Sequence, residues 1–293
     1  MENISLYVCA YNVERTIEEV IIGILNLDHK PNEIIIVNDG STDSTLEILN
    51  KYKNNITIFN LTKNMGIGHA RNIAIKNSKN NIVATLDSDV VPEKTWLLNI
   101  YNSMIKYNSQ LCGGLLIEKY LKNNRYNYWR DIHIMHKFSE KKVPDVQSFI
   151  TGSNMILNKN AWNKVNGYDE QYLTNGEDVH FCIKLRNNGF KISYDNDACC
   201  YHLQNDNLET LLNRCWRYYI NGTGLKQPSY KKLILRSIKH LKYCLINSFK
   251  DLISLRLNII DINFRVFLII LKWNINLVNQ ERLYFRLLNF NEN

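Results

Sequence analysis

The chain has 293 residues, of which 45% are apolar, and carries 36 Lys and Arg against 28 Asp and Glu for a formal charge of +8. That length suits one large α/β domain, or a domain of roughly 200–220 residues with an appendage. Eleven basic and four acidic residues lie from Tyr230 onward, so the first 229 residues are nearly neutral and a nucleic-acid-binding role for them is excluded.

Seven cysteines, an odd count with no C-x-x-C pair, read as small buried hydrophobes in a reducing cytosol. They exclude a disulfide framework and a zinc site. The start, MENISLYVCAYN, reads as a first strand and not as a signal peptide, since no basic segment precedes a long apolar stretch. No apolar run reaches about 18 residues, which argues against a spanning helix. The expected location is therefore cytoplasmic.

In chain order, residues 4–10 predict a strand. Residues 14–27 place Ile17, Val20, Ile21, Ile24 and Leu25 at helical spacing. EIIIVN at 33–38 is a short apolar strand of the kind buried on both faces. Ser41 to Thr45 is rich in N-cap residues and precedes a helix through Ile48 and Leu49. A strand at 56–60, a helix at 66–77, a strand at 82–86 and a helix from after Pro92 to about Lys106 follow. This alternation predicts a doubly wound, mostly parallel sheet, whose ligands sit beyond the C-terminal strand ends. Those ends carry 12–14, Asp39-Gly40 and Asp87-Ser88-Asp89.

Residues 118–146 are rich in Tyr, Lys, Asn and His with no clear period, and read as a lid or acceptor-side segment. Order returns at 147–157, then come short helices near Ala161 and from Glu177 to Asn187, the latter ended by Gly189. From Leu208 the pattern is helical almost to the end.

Asp87-Ser88-Asp89 directs two carboxylates to one side of an extended segment, where a hard cation could take them together with substrate phosphates. A solvated turn or helix cap is the alternative. A second D-x-D, Asp195-Asn196-Asp197, lacks an apolar strand before it and reads as a turn. Gly66-Ile67-Gly68-His69-Ala70-Arg71 lacks the third glycine of a dinucleotide fingerprint and does not follow the first strand. Arg71 reads either as an anion contact or as a surface arginine. Asp39 offers acceptor oxygens to a base or a ribose, or simply turns the chain. Glu177 and Asp178 suit a helix N-terminus, and either could act as a general base. His202 is a structural histidine or a metal ligand. No Ser or Cys has the His/Asp pattern of a hydrolase triad.

Taken in order, AYNVE at 10–14, IIIVNDGSTDST at 34–45, NMGIGHARN at 64–72, VATLDSD at 83–89, TGSNMIL at 151–157, GYDE at 167–170 and GEDVHFCIKLRNNGFKI at 176–192 resemble the family 2 glycosyltransferases of the GT-A type. The resemblance covers about residues 3–205. It implies an α/β GT-A fold, Rossmann-like with a mostly parallel central sheet, and a C-terminal helical appendage. The expected division is a glycosyltransferase domain at 1–205 (donor half about 1–117, acceptor half about 118–205) and a basic helical region at 206–293.

The resemblance also implies roles. Asp39 reads the base, usually uracil; Ala10, Tyr11, Asn12 and Glu14 line the nucleoside pocket; Arg71 and Ser88 lie near the donor. Asp87 and Asp89, with His202 as a further metal ligand or a diphosphate contact, hold Mn²⁺ or Mg²⁺ on the donor diphosphate, and Asp178 is the general base. Gly152, Asn154 and Glu177 face the acceptor. The implied reaction moves a sugar from a nucleotide donor, UDP-linked by expectation, to a hydroxyl of a glycan or lipid-linked acceptor, with inversion, in surface polysaccharide or glycoconjugate synthesis. A non-catalytic nucleotide-sugar sensor on the same fold is the alternative. A sugar nucleotidylyltransferase would need a Gly-rich phosphate loop after the first strand, where Cys9-Ala10-Tyr11-Asn12 stands.

Two departures from the family pattern stand out. His180 occupies the place of a frequent second acid after the base. Arg214-Cys215-Trp216-Arg217-Tyr218 is a loose version of the Q/R-x-x-R-W motif of processive members, with Tyr218 for Trp. The basic region at 230–293 has two open readings: peripheral contact with the inner face of the cytoplasmic membrane, or a helical cap packed on the domain or on a second subunit of a homo-oligomer.

Overall fold

The computed structural model describes residues 2–121, 123–134, 141–221 and 230–279. The chain divides into two compact units, Met1–Lys119 with His136–Gln204, and Tyr120–Met135 with Asn205–Asn293.

The first unit opens as the sequence predicts: β1 (Ile4–Ala10), α1 (Ile17–Leu25), β2 (Glu33–Asn38), α2 (Thr45–Lys51), β3 (Thr57–Asn60), α3 (Ile67–Asn77) and β4 (Ile82–Asp87). β1 lies between β2 and β4, parallel to both, with Val8 level with Ile36 on one side and Leu86 on the other. β3 pairs parallel with the far edge of β2. Because side chains alternate along a strand, Leu6 and Val8 pack with α1 residues such as Val20, Ile21 and Ile24. Tyr7, Ile35 and Val37 pack instead with Ala70 and Ala74 of α3. Each fully buried aliphatic side chain contributes roughly 1.5–3 kcal/mol. Burial on both faces is why the strands read as unbroken apolar runs.

The second half of this unit adds β5 (Val90–Pro92), α4 (Trp96–Lys106), β6 (Leu111–Glu118), β7 (Asn154–Asn158), α6 (Lys159–Lys164), α7 (Glu177–Asn187) and β8 (Ile192–His202). One eight-stranded sheet results, in the order β3-β2-β1-β4-β7-β6-β8-β5. β7 runs antiparallel to both neighbours, β4 and β6, while β6 and β8 are parallel. α4 covers the face shared with α1 through Trp96 and Ile100. α7 covers the other face through Phe181, Cys182 and Leu185.

Asp195-Asn196-Asp197 is not the predicted turn. It lies inside β8, where the register slips from Gly114 opposite Asp195 to Leu115 opposite Cys199. The slip is a bulge that accommodates extra residues on one strand. Asp195 is fully buried there and accepts hydrogen bonds from Ser103 and Lys142.

Within the stretch read as a lid or acceptor-side segment, residues 125–133 form a regular helix, α5 (Arg125–His133), which belongs to the second unit; residues 122 and 135–140 lie outside the described ones. The second unit continues with α8 (Leu208–Asn221), α9 (Tyr230–Ile253), a 3₁₀ turn (Leu257–Ile259) and α10 (Ile260–Asn279). The end of the predicted helical tail, 280–293, lies outside the described residues. Trp129, Leu211, Cys215, Ile259 and Ile262 form its core. Buried polar pairs tie it together: Arg130 with Asp206, and Trp129 Nε1 donating to Asn263 Oδ1 at 2.8 Å. The loose R-x-x-R-Y segment sits on α8, with Arg214 beside Asp206 at 3.6 Å and Trp216 stacked on Trp273. All seven cysteines are free thiols.

Candidate active site

The register places several predicted residues along one rim of the sheet. Ala10 at the end of β1 is level with Asn38 of β2, and Cys9 is level with Asp87 of β4. The chain leaves β1 through Asn12, whose φ is +51°. Asn12 Oδ1 accepts the Thr42 amide at 2.8 Å, and Glu14 Oε2 accepts the Ser44 amide at 3.1 Å. These two side chains staple the loop after β1 to the loop after β2. Tyr11 is half-buried.

Asp39 is buried, and its two oxygens accept the amides of Met65 and Gly66 at 2.8 and 2.9 Å. Burial pushes its carboxyl up, against the pull of those two amides. Gly40 follows with φ +72°, and a Cβ there would stand 2.4 Å from the Lys63 backbone. Only glycine fits both the conformation and the approach. Asp39 thus holds the loop entering α3 as well as ending β2.

Arg71 is neither on the surface nor open to an incoming anion. It is 2% exposed. Its guanidinium donates to Asp87 Oδ1 and to the Gly152 carbonyl, each at 2.9 Å, and to Tyr7 Oη at 3.4 Å. Its Nε lies 3.3 Å from Glu177 Oε1. One buried cation therefore joins the end of β4, the loop before β7 and the start of α7. A Cβ on Gly152 would lie 2.6 Å from an Arg71 nitrogen, so the glycine makes room for this contact.

α7 starts after Gly176, whose φ of +95° aims the first turn at that rim. Asp178 is half-buried, with Oδ2 accepting the Gly152 amide at 3.0 Å and Oδ1 the Val179 amide at 2.7 Å. Glu177 is buried; its Oε2 makes no hydrogen bond. Burial, then the charge of Asp178, pushes the Glu177 carboxyl up to about 8, although Arg71 draws it down. Burial raises the Asp87 carboxyl, Arg71 lowers it, and Asp89 and Asp178 raise it again. Hydrogen bonds through Gly152 link Asp178 to Arg71, which itself donates to Asp87.

The three residues expected to face the acceptor are buried instead. Asn154 lies inside the sheet, accepting from Trp96 Nε1 at 2.6 Å and donating to the Leu115 carbonyl at 3.0 Å. Gly152 and Glu177 support Asp178 and Arg71. A buried indole N–H needs an acceptor, which explains Asn154 without a ligand.

Beyond β4, the Ser88 carbonyl accepts from Thr16 Oγ1 at 2.8 Å, fixing the D-x-D turn to the start of α1. Asp89 lies beside His202, with Nε2 to Oδ2 at 3.2 Å, and the other ring nitrogen meets Glu118 at 2.8 Å. Burial lowers the basicity of this imidazole, but Asp89 and Glu118 outweigh it and hold the pKa at about 9. His202 thus braces Asp89 through Nε2 and is itself held by Glu118 through Nδ1.

Among the described residues, no group of three or more His, Cys, Asp or Glu side chains is arranged to hold a metal ion. The side chains of Asp87 and Asp89 are 38% and 24% exposed at the rim. Two accessible carboxylates fit a hard cation completed by substrate phosphates better than they fit an all-protein cage. The residues present therefore fit a divalent cation of that kind.

The family model described as glycosyl transferase family 2 matches residues 5–165, more than half of the chain. The chain belongs to glycosyl transferase family 2. Poly-beta-1,6-N-acetyl-D-glucosamine synthase of Staphylococcus aureus is 28% identical over 231 residues, 76% of this chain and 55% of the synthase. The chain thus spans about half the length of that curated relative. An uncharacterized glycosyltransferase of Haemophilus influenzae is 25% identical over 268 residues, 82% of each chain. Among solved structures, S. aureus TarS 1-349 in complex with UDP superposes with a TM-score of 0.58 at 22% identity, over 73% of this chain and 65% of that one. Mannosyltransferase PcManGT from Pyrobaculum calidifontis, in complex with GDP-Man and Mn²⁺, gives 0.58 at 16% identity, over 78% and 66%. The α/β fold of this glycosyltransferase is therefore the GT-A fold, with helices at its C-terminal end.

Proposed function

We propose that this family 2 glycosyltransferase moves a sugar from a UDP-linked donor to a hydroxyl of a glycan or lipid-linked acceptor, with inversion and with help from Mn²⁺ or Mg²⁺. The observation that carries the reading is the meeting of Asp87, Asp89 and Asp178 at one rim, beside the strand end that bears Asp39. Relatives solved with UDP and with GDP-Man and Mn²⁺ support a nucleotide donor and a metal.

Asp87 and Asp89 would hold the cation on the donor diphosphate, Asp87 being fixed by Arg71 and Asp89 by His202. Such a cation offsets the charge that grows on the departing diphosphate. Asp178 faces the same space and takes the acceptor's hydroxyl proton. The Gly152 amide on Asp178 Oδ2 orients that carboxylate. One base and one in-line displacement invert the anomeric carbon, so an α-linked donor gives a β-linked product. No second carboxylate is needed as a nucleophile. The loops stapled by Asn12 and Glu14, with Asp39 behind them, form the floor on which the nucleoside would rest.

Calorimetric titration with UDP tests the donor and the metal together. UDP should bind the wild type about tenfold or more tightly with Mn²⁺ than with a chelator, and Asp87→Asn or Asp89→Asn should remove that difference. Equal affinity in chelator would sink the metal bridge, and no binding of UDP would sink the uridine donor. A thermal-shift screen of nucleotide sugars with Mn²⁺ would then nominate the sugar, since a ligand of the folded state raises its melting temperature.

A further inference from the structure

Helix α9 has two unlike faces. Its inner face is anchored. Leu233 and Cys244 are buried, and Asp251 is fully buried against His133 at 3.0 Å, Asn263 at 2.8 Å and Arg256 at 3.2 Å. Ser237 Oγ accepts from Asn274 at 2.7 Å. On an adjoining face, about 100° round the helix, Ile234, Ile238, Leu241, Leu245, Phe249 and Leu252 follow at intervals of three and four residues and are 40–63% exposed. At 1.5 Å per residue they form an unbroken stripe about 27 Å long. Single exposed apolar residues are ordinary, but a contiguous run of six marks an interaction surface.

The charge beside the stripe identifies the partner. α9 carries six Lys and Arg and one acidic residue, Asp251, which is on the inner face. Lys239, Lys242 and Lys250 are exposed along the flank of the stripe. A second copy of this chain would bring two basic flanks together, which opposes a dimer through this face. The stripe has no acidic or acceptor side chain with which to orient a protein groove. An anionic surface over an apolar phase matches both features. No described helix is long and apolar enough to cross a membrane, whereas a basic amphipathic helix lies in the plane of the interface.

We propose that the outer face of α9 docks this enzyme on an anionic phospholipid bilayer. The six apolar side chains enter the acyl boundary and Lys239, Lys242 and Lys250 meet the lipid phosphates. Docking of this kind is independent of which donor the enzyme uses, and its test reads binding rather than transfer.

The purified full chain should float with vesicles of phosphatidylcholine and phosphatidylglycerol, remain behind with phosphatidylcholine alone, and be released by high salt. Exchanging Ile238→Glu and Leu245→Glu together should weaken vesicle binding about tenfold or more. Both side chains are exposed, so the circular dichroism and UDP binding of that variant should match the wild type. Lys239→Gln with Lys242→Gln leaves the stripe intact and should weaken binding to the anionic vesicles severalfold. A wild-type chain that stays behind with anionic vesicles would overturn the proposal, as would Glu variants that float equally well. So would a wild-type dimer in sedimentation equilibrium that the Glu variants convert to monomer, since a second copy would then be what covers this face.

Discussion

Two carboxylates, those of Asp87 and Glu177, meet the Arg71 guanidinium, and burial pushes both carboxyls up. Glu177 is the deeper, and its carboxyl stands at about 8 against an ordinary 4.5. A carboxyl raised on folding binds its proton more tightly in the folded chain. Its contribution to stability is therefore fully present below about 4.5 and is lost as pH rises through about 8. Melting temperatures taken between these limits should fall as pH rises, and Glu177→Gln should flatten the slope; an unchanged slope would show that Glu177 titrates normally. The positions of Asp39, Asp87, Asp89 and Asp178 in the fold were legible in the sequence because each lies at or just after a strand end or opens a helix. The burial of Arg71 was not legible, since Gly152 and Glu177 lie far along the chain and no local pattern pairs them with it. Asn154 was placed toward the acceptor by the resemblance alone; in the fold its Oδ1 accepts from Trp96 Nε1, a partner 58 residues away that no local pattern reveals.

At the scale of elements, α7 matters most, because it carries the proposed base. Gly176 enters it with φ +95°, a conformation that costs a residue with a Cβ about 1–2 kcal/mol. Gly176→Ala should lower stability in denaturant unfolding by about that amount. It should also lower kcat more than the affinity for UDP, because the strain falls on the first turn and not on the loops that form the nucleoside floor. A variant with wild-type kcat would separate Asp178 from the entry angle of its helix. The strands β1 to β4 were read almost residue for residue, since apolar runs between caps leave little choice of period. β8 was missed because its polar Asp195-Asn196-Asp197 resembles a turn; what keeps it in the sheet is the bulge opposite Gly114 and Leu115 and the pairing of buried Asp195 with Ser103 and Lys142.

At the scale of the whole molecule, the doubly wound half follows from strand–helix alternation. The return of β7 antiparallel between β4 and β6 does not, because only tertiary packing selects that slot. The same holds for α5, whose Trp129 and Arg130 belong with Asn263 and Asp206 of the second unit. The GT-A unit thus contributes a rim of carboxylates, and the helical unit contributes a basic, apolar face on α9. The central claim is that this rim transfers a sugar, with Asp178 taking the acceptor proton. Asp178→Asn keeps the size of the side chain and removes its basicity. With the donor that the screen selects, this variant should bind UDP as the wild type does while transfer falls by about 10²-fold or more; transfer at the wild-type rate would contradict the account.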